Sequence, residues 1–314
     1  MAGEEKGSSP TEARTSVVTG AFGFTGQQIA RRLLRQGEHV RTLTNHPRPE
    51  LPLFRRVQFC PLDFENPEEL ADSMRGASVL YNTYWVRFPY GGMTHERAVH
   101  NTEVLIRAAE AAGVKRIVHI STANPSLDSP MTYYRGKAEI EQAIRQSSLC
   151  YAVLRPAVLF GKGDILINNI AFLLRHSPMF AIPGNGKYRI QPTYVGDLAE
   201  LAVESGRRTD NFTIDAAGPE IYTFMDLVKL IRSAVGSRSW IVPMRPELLN
   251  AASRTLGTML GDVLLTDDEI AGLMAELLLS HQPPACHTSF AAWIQSNAGT
   301  LGRSYASELA RHYR

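Results

Sequence analysis

Two groups of residues have the types and the spacing to do chemistry. Tyr133 and Lys137 form a Y-x-x-x-K pair, and four residues of helix would bring them to one face, about one turn apart. A lysine so placed can hold the ribose of a nicotinamide nucleotide and lower the phenol's pKa. The tyrosine can then give or take a proton at a carbonyl or an alcohol. Just upstream, Ile117-Val118-His119-Ile120-Ser121-Thr122 would end a strand on two hydroxyls. The second group lies near the N-terminus, where Gly20, Gly23 and Gly26 are spaced G-x-x-G-x-x-G with Phe22, Phe24 and Thr25 between them. A dinucleotide pyrophosphate needs this arrangement. The first glycine permits a tight strand-to-helix turn, the second lets the backbone approach the phosphates, and the third lets helix and strand pack closely. The helix N-terminus supplies free N–H groups and a positive dipole end.

Elements must exist to hold these groups in place. Apolar runs suited to strands occur at 16–20, 39–44, 57–60, 78–82, 115–121 and 150–155, with helical stretches at 25–36, 66–75, 94–112 and 134–147. Within 94–112, Ala98, Leu105, Ala108, Ala109 and Ala112 share a face, and Gly113 is placed to end the helix. Val- and Ile-rich strands alternating with crossover helices specify an α/β fold, a doubly wound parallel sheet with helices on both faces. The hydroxyls of Ser121 and Thr122 then sit at the carboxyl end of the fifth strand, where ligands bind in such sheets. After about residue 156 the rhythm changes. Gly- and Pro-bearing loops separate shorter elements, with helices expected at 164–175, 196–205, 223–235, 246–260, 266–279 and 300–312. The expected organisation is a disordered tail at 1–14, a dinucleotide-binding core at 15–160 and a mixed, mainly helical substrate lobe at 161–314, packed over the strand ends.

Composition narrows the partners. The 314 residues carry a net charge of +2 with dispersed basic residues, and no basic stripe with interleaved aromatics points to nucleic acid. Cys60, Cys150 and Cys286 are far apart and lack ligand spacing; His281 and His287 beside Cys286 lack a fourth ligand, so no metal is expected. No apolar run of 18 residues exists, so no spanning helix is expected, and the polar N-terminus does not read as a signal peptide; a cytoplasmic location follows. The aromatics Tyr84, Trp85, Phe88 and Tyr90 after the fourth strand either line an apolar pocket or are core. Asp267-Asp268-Glu269 reads as the charged start of a helix begun by Thr266, and Asp197 reads first as a helix-start residue. Residues 246–279 are rich in leucine. Burial on the core, a groove for an apolar substrate, and a face for a protein partner or a membrane surface all fit that composition.

Together, Thr19-Gly20…Gly26, Ser121-Thr122 and Tyr133…Lys137 resemble an atypical or extended short-chain dehydrogenase/reductase. Arg155-Pro156, Tyr194-Val195-Gly196-Asp197-Leu198-Ala199, Tyr134-Arg135-Gly136-Lys137-Ala138-Glu139 and Leu264-Leu265-Thr266-Asp267-Asp268-Glu269 are most similar to the subfamily of the complex I nucleotide-binding accessory subunit. The likeness spans roughly residues 15–280. It implies that Thr122 polarises the substrate oxygen, with Ser121 as its alternative, that Tyr133 is the acid/base with Lys137 as its partner, and that Asp63 meets the adenine. The fourth strand departs from the family pattern by ending Tyr81-Asn82-Thr83-Tyr84. An NAD site would carry Asp or Glu at the end of the second strand, where Thr44 stands. The family's arginine for a 2′-phosphate falls at Asn45, with Arg48 close behind, so NADP is expected ahead of NAD. The function implied is a nicotinamide-dependent oxidoreductase or epimerase acting on a carbonyl or alcohol, its substrate small and fairly apolar. The alternative is a non-catalytic NADP(H)-binding sensor or an accessory subunit of a larger complex.

Overall fold

The structure is a computed structural model and describes residues 13–312. Most of the expected tail therefore lies outside the described residues, while Arg14 donates to the Gly206 carbonyl at 2.9 Å. The first half runs β1 (Thr15–Thr19), α1 (Phe24–Arg35), β2 (His39–Leu43), β3 (Gln58–Cys60), α2 (Pro67–Met74), β4 (Val79–Asn82), α3 (His95–Ala111), β5 (Arg116–Ile120), α4 (Thr132–Gln146) and β6 (Cys150–Pro156). The second half adds β7 (Val158–Phe160), α5 (Leu166–His176), β8 (Met179–Pro183), β9 (Arg189–Ile190), β10 (Pro192–Tyr194), α6 (Val195–Ser205) and β11 (Phe212–Ala216). It continues through β12 (Tyr222–Thr223), α7 (Phe224–Ala234), β13 (Trp240–Met244), α8 (Pro246–Leu260), α9 (Asp267–Met274), α10 (Phe290–Asn297) and α11 (Glu308–His312).

Seven strands form one sheet in the order β3-β2-β1-β4-β5-β6-β11, and every pairing is parallel. Such strands are buried on both faces, as all five residues of β5 are. Helices α1 and α6 cover one face, where Ile29, Leu33, Leu198 and Val203 pack; α2, α3 and α4 cover the other with Leu70, Leu105, Ile140 and Ile144. The strand order reverses at β1, between β2 and β4, and this switch point opens a crevice beyond the carboxyl ends of the strands.

The second half is not a lobe throughout. Strand β11 completes the main sheet against β6, and α6 packs on α1, so the core extends past residue 160 into 195–216. Three two-stranded pieces (β7 with β10, β9 with β12, β8 with β13) and helices α5, α7, α9 and α10 build the remainder around Phe160, Ile170, Leu227 and Phe290. The helix expected over 266–279 ends at Met274, because Glu276 turns left-handed (φ 56°) and Leu277 N–H bonds back to Gly272. The helix expected over 300–312 is confined to α11, and α10 lies outside every helix anticipated from the sequence.

Candidate active site

The glycine turn behaves as its spacing requires. Gly20 has φ +63°, and a Cβ on Gly26 would stand 2.3 Å from the Gly20 carbonyl oxygen, so only glycine lets α1 close on β1. Gly23 is the N-cap of α1, and no acidic side chain occupies the helix's first turn. The first-turn N–H groups and dipole thus face the crevice as an anion site. Thr19 locks the neighbouring strand end, its hydroxyl accepting from Thr83 N at 2.7 Å and Tyr84 N at 3.0 Å. The departure at Thr83 is used as well, since its hydroxyl donates to the Thr19 carbonyl at 2.6 Å.

A cavity of about 960 Å³ follows this crevice, and Gly20, Phe22, Gly23, Phe24, Thr25, Gly26, Asn45, Arg48 and Asp63 all line it. The structure brings together every cofactor residue expected from the sequence except Lys137. Asn45 is committed to the backbone, donating to Leu62 O at 2.7 Å and accepting from Leu62 N at 3.0 Å. It therefore joins the ends of β2 and β3. Arg48 is the cation beside it, 3.6 Å from the Glu50 carboxylate, which faces the same cleft. The Asn66 amide, bonded at 2.5 Å, holds the Asp63 carboxyl below its usual range.

Lys137 has a different position. Its ammonium donates to the Ile120 carbonyl at 2.9 Å and lies 4.7 Å from the centre of the Trp85 ring, 3% exposed and on neither cavity wall. Trp85 fits there because Gly136 leaves the room; a Cβ on Gly136 would come to 2.8 Å from the indole. Burial brings the Lys137 pKa down to about 7, against the opposing pull of Glu141. Glu141 is itself buried among three donors, Ser121 at 2.7 Å, Arg155 at 2.6 Å and Arg145 at 2.7 Å, which keep its pKa low. The two hydroxyls part here: Ser121 is turned to Glu141, whereas Thr122 lines a second cavity together with Tyr133.

That second cavity, about 750 Å³, is lined chiefly by apolar side chains, including Phe88, Ile170, Phe224, Leu249, Leu256 and Leu264. The aromatic segment divides between the two, with Tyr84, Trp85 and Tyr90 on the dinucleotide cleft and Phe88 on the apolar cavity. Tyr133 and Arg87 line both cavities. Burial raises the Tyr133 phenol to about 12, with the Glu269 charge adding to the rise and the Thr122 hydrogen bond opposing it. Arg87 donates to Glu269 at 2.5 Å and to Glu308 at 3.1 Å, tying the segment after β4 to α9 and α11. Sequence reasoning missed Arg87. It also read Glu269 only as part of a helix start, which it is: Thr266 and Glu269 form a capping box. Asp197 accepts from His287 N, Thr288 N and the Thr288 hydroxyl, and so anchors a late segment of the chain to α6.

Known proteins share this fold and parts of this sequence. A family described as NAD(P)H-binding matches residues 20–168. The chain is 25% identical over 246 residues to the mitochondrial NADH dehydrogenase [ubiquinone] 1 alpha subcomplex subunit 9 of Arabidopsis thaliana, covering 74% of this chain and 60% of that protein. It is 26% identical over 253 residues to the 2-alkyl-3-oxoalkanoate reductase of Stenotrophomonas maltophilia, covering 70% of this chain and 76% of the relative. The Citrobacter sp. triphenylmethane reductase solved with NADP(H) superposes with a TM-score of 0.72 at 18% identity, over 90% of this chain and 99% of that one. Among the described residues no helix is long and apolar enough to cross a membrane.

Proposed function

We propose that this chain, which matches an NAD(P)H-binding family over residues 20–168, is an atypical short-chain dehydrogenase/reductase that works as an NADP(H)-dependent oxidoreductase on a fairly apolar carbonyl or alcohol. The observation that carries this reading is that Tyr133 stands where the dinucleotide cleft and the apolar cavity meet. When bound, the nucleotide supplies or takes the hydride. Thr122 orients the substrate oxygen, and Tyr133 gives that oxygen its proton as the carbonyl carbon is reduced. The raised phenol pKa keeps Tyr133 protonated throughout the physiological range. Solvent then returns the proton to the phenolate. Lys137, held at the Ile120 carbonyl beneath Trp85, reaches a nicotinamide ribose only when the indole moves aside.

The cavity lining favours an apolar substrate over a nucleotide sugar. Its one Lys or Arg, Arg87, is already paired with Glu269 and Glu308, Asp267 is paired with Arg254, and Asp268 adds negative charge. A diphosphate would meet repulsion there. NADP is preferred to NAD because Arg48 faces the cleft beyond Thr44, and comparable affinities for NADPH and NADH in a titration would overturn that preference. A cytoplasmic location goes with this reading, although the Arabidopsis relative is described as mitochondrial; a fluorescent fusion imaged in the source cells tests it.

The deciding experiment is single-turnover NADPH oxidation against a panel of alkyl and aryl ketones. Tyr133→Phe is expected to lower the rate about 10²–10⁴-fold with NADPH affinity unchanged. A second reading, a nucleotide-holding accessory subunit, is favoured by one observation, the Trp85 indole lying over Lys137. A wild-type protein that retains NADPH through purification and leaves it unoxidised with every ketone of the panel would support that reading instead.

A further inference from the structure

The last helix of the described chain lies along the dinucleotide cleft. At one end Glu308 pairs with Arg87, on the wall shared with Tyr133; at the other the Arg311 carbonyl accepts from Arg48 Nη2 at 3.2 Å, beside the end of β2. Glu308 and Arg311 are both part of the cleft wall. Lys162, in the loop Gly161–Gly163, is exposed on the same cleft, and the Phe24 ring at the start of α1 stands 3.6 Å from where a Cβ on Gly161 would be. From these placements we propose that Arg311 and Lys162 are phosphate ligands of the bound dinucleotide, and that residues 302–311 form a strap that slows its release. The proposal rests on the nicotinamide-dinucleotide reading of the cleft.

The strap is built to hold a position. The buried Asp262 carboxylate accepts from the Tyr305 hydroxyl at 2.5 Å, Glu308 N at 2.9 Å and Leu309 N at 3.0 Å. Asn169 exchanges two bonds with the backbone of Ala306, at 2.9 and 3.0 Å. Asn168 donates to Ser304 O at 3.0 Å and accepts from Gly302 N at 3.1 Å. Three polar side chains, two from α5 and one from the loop after α8, are thus spent on fixing one short segment beside the cleft. Its charge needs a partner as well. Burial disfavours the charged form of the Arg311 guanidinium and Arg48 repels it, while Glu308 and Asp164 only partly compensate. The Asp164 carboxyl is itself buried enough to titrate at about 6. A phosphate between the cations relieves that repulsion and makes charge-assisted hydrogen bonds.

The test is a fluorescence titration and a stopped-flow dissociation measurement with NADPH and with NADH, on the full chain and on Arg311→Ala, Arg311→Lys and Lys162→Ala. Arg311→Ala is expected to weaken binding about tenfold or more and to speed release, with Arg311→Lys recovering part of the loss. Equal losses for both nucleotides place Arg311 on the pyrophosphate, and a loss for NADPH alone places it on the 2′-phosphate. Amide hydrogen exchange of residues 303–311 is expected to slow when NADPH is added to wild type. If wild type binds the nucleotide, yet Arg311→Ala binds and releases it within twofold of wild type or exchange over 303–311 is unchanged, the strap is refuted and the cofactor site stands. If wild type binds neither nucleotide, the cofactor reading falls first.

Discussion

Gly26 has less room for a side chain than the other glycines of the cleft, since the Cβ of an alanine would press on the Gly20 carbonyl from 2.3 Å. Gly26→Ala is expected to cost about 1–3 kcal/mol, the usual range for forcing an extra carbon into close packing, and to lower NADPH affinity; urea unfolding and titration read the two effects separately. Lys137 carries the residue-scale pH dependence. Its folded pKa, about 7, lies below the value of 10.5 for an unperturbed lysine, so between those limits the unfolded chain binds more protons. The cost of burying the charge is therefore largest below pH 7, and stability on this account rises as pH climbs from 7 towards 10. Urea unfolding at pH 7 and pH 9 is expected to show that rise in wild type and a smaller one in Lys137→Met. Equal slopes would mean that the ammonium stays hydrated and that Trp85 does not cover it.

At the scale of the element, Thr266 is the test of how α9 is held. Thr266→Ala removes the capping box at a cost of about 1 kcal/mol and frees Glu269, so thermal melting should fall and the Arg87 linkage loosen. Elements of this kind were legible where local chemistry marks both ends. The helix expected over 94–112 is His95–Ala111, capped by Thr94 and ended by Gly113 at φ 75°. Strand β11 was not legible. Phe212-Thr213-Ile214-Asp215-Ala216 is short and carries an aspartate, and its place is fixed only by pairing with β6, some 60 residues earlier. Helix α10 is eight residues long and owes its place to Phe290 packing on Phe160. The site divides in the same way. The glycine turn and the Tyr133 spacing were readable because each lies within one segment. Arg87 was not, because the carboxylates that give it meaning come from Glu269 and Glu308.

Over the whole molecule the exposed apolar residues gather in the second half: Trp240 is 75% exposed, Met259 78% and Leu248 60%, the last two on α8, whose Leu249 and Leu256 line the apolar cavity. Replacing both Leu248 and Met259 by glutamate should leave unfolding within about 0.5 kcal/mol of wild type, as for other solvent-facing positions, while reducing binding of a hydrophobic dye. A large loss of stability would show that these side chains are covered in solution. The late arrival of β11 bears on how the protein is made. A nascent chain that has reached Pro156 presents β6 with an unpaired row of N–H and C=O groups, the template from which strands aggregate. At about 5–20 residues per second the ribosome takes roughly 3–12 s to deliver Ala216, and for that interval a growing chain depends on chaperones or on dilution to stay single. A fragment ending at residue 168, where the family match stops, would never leave that state.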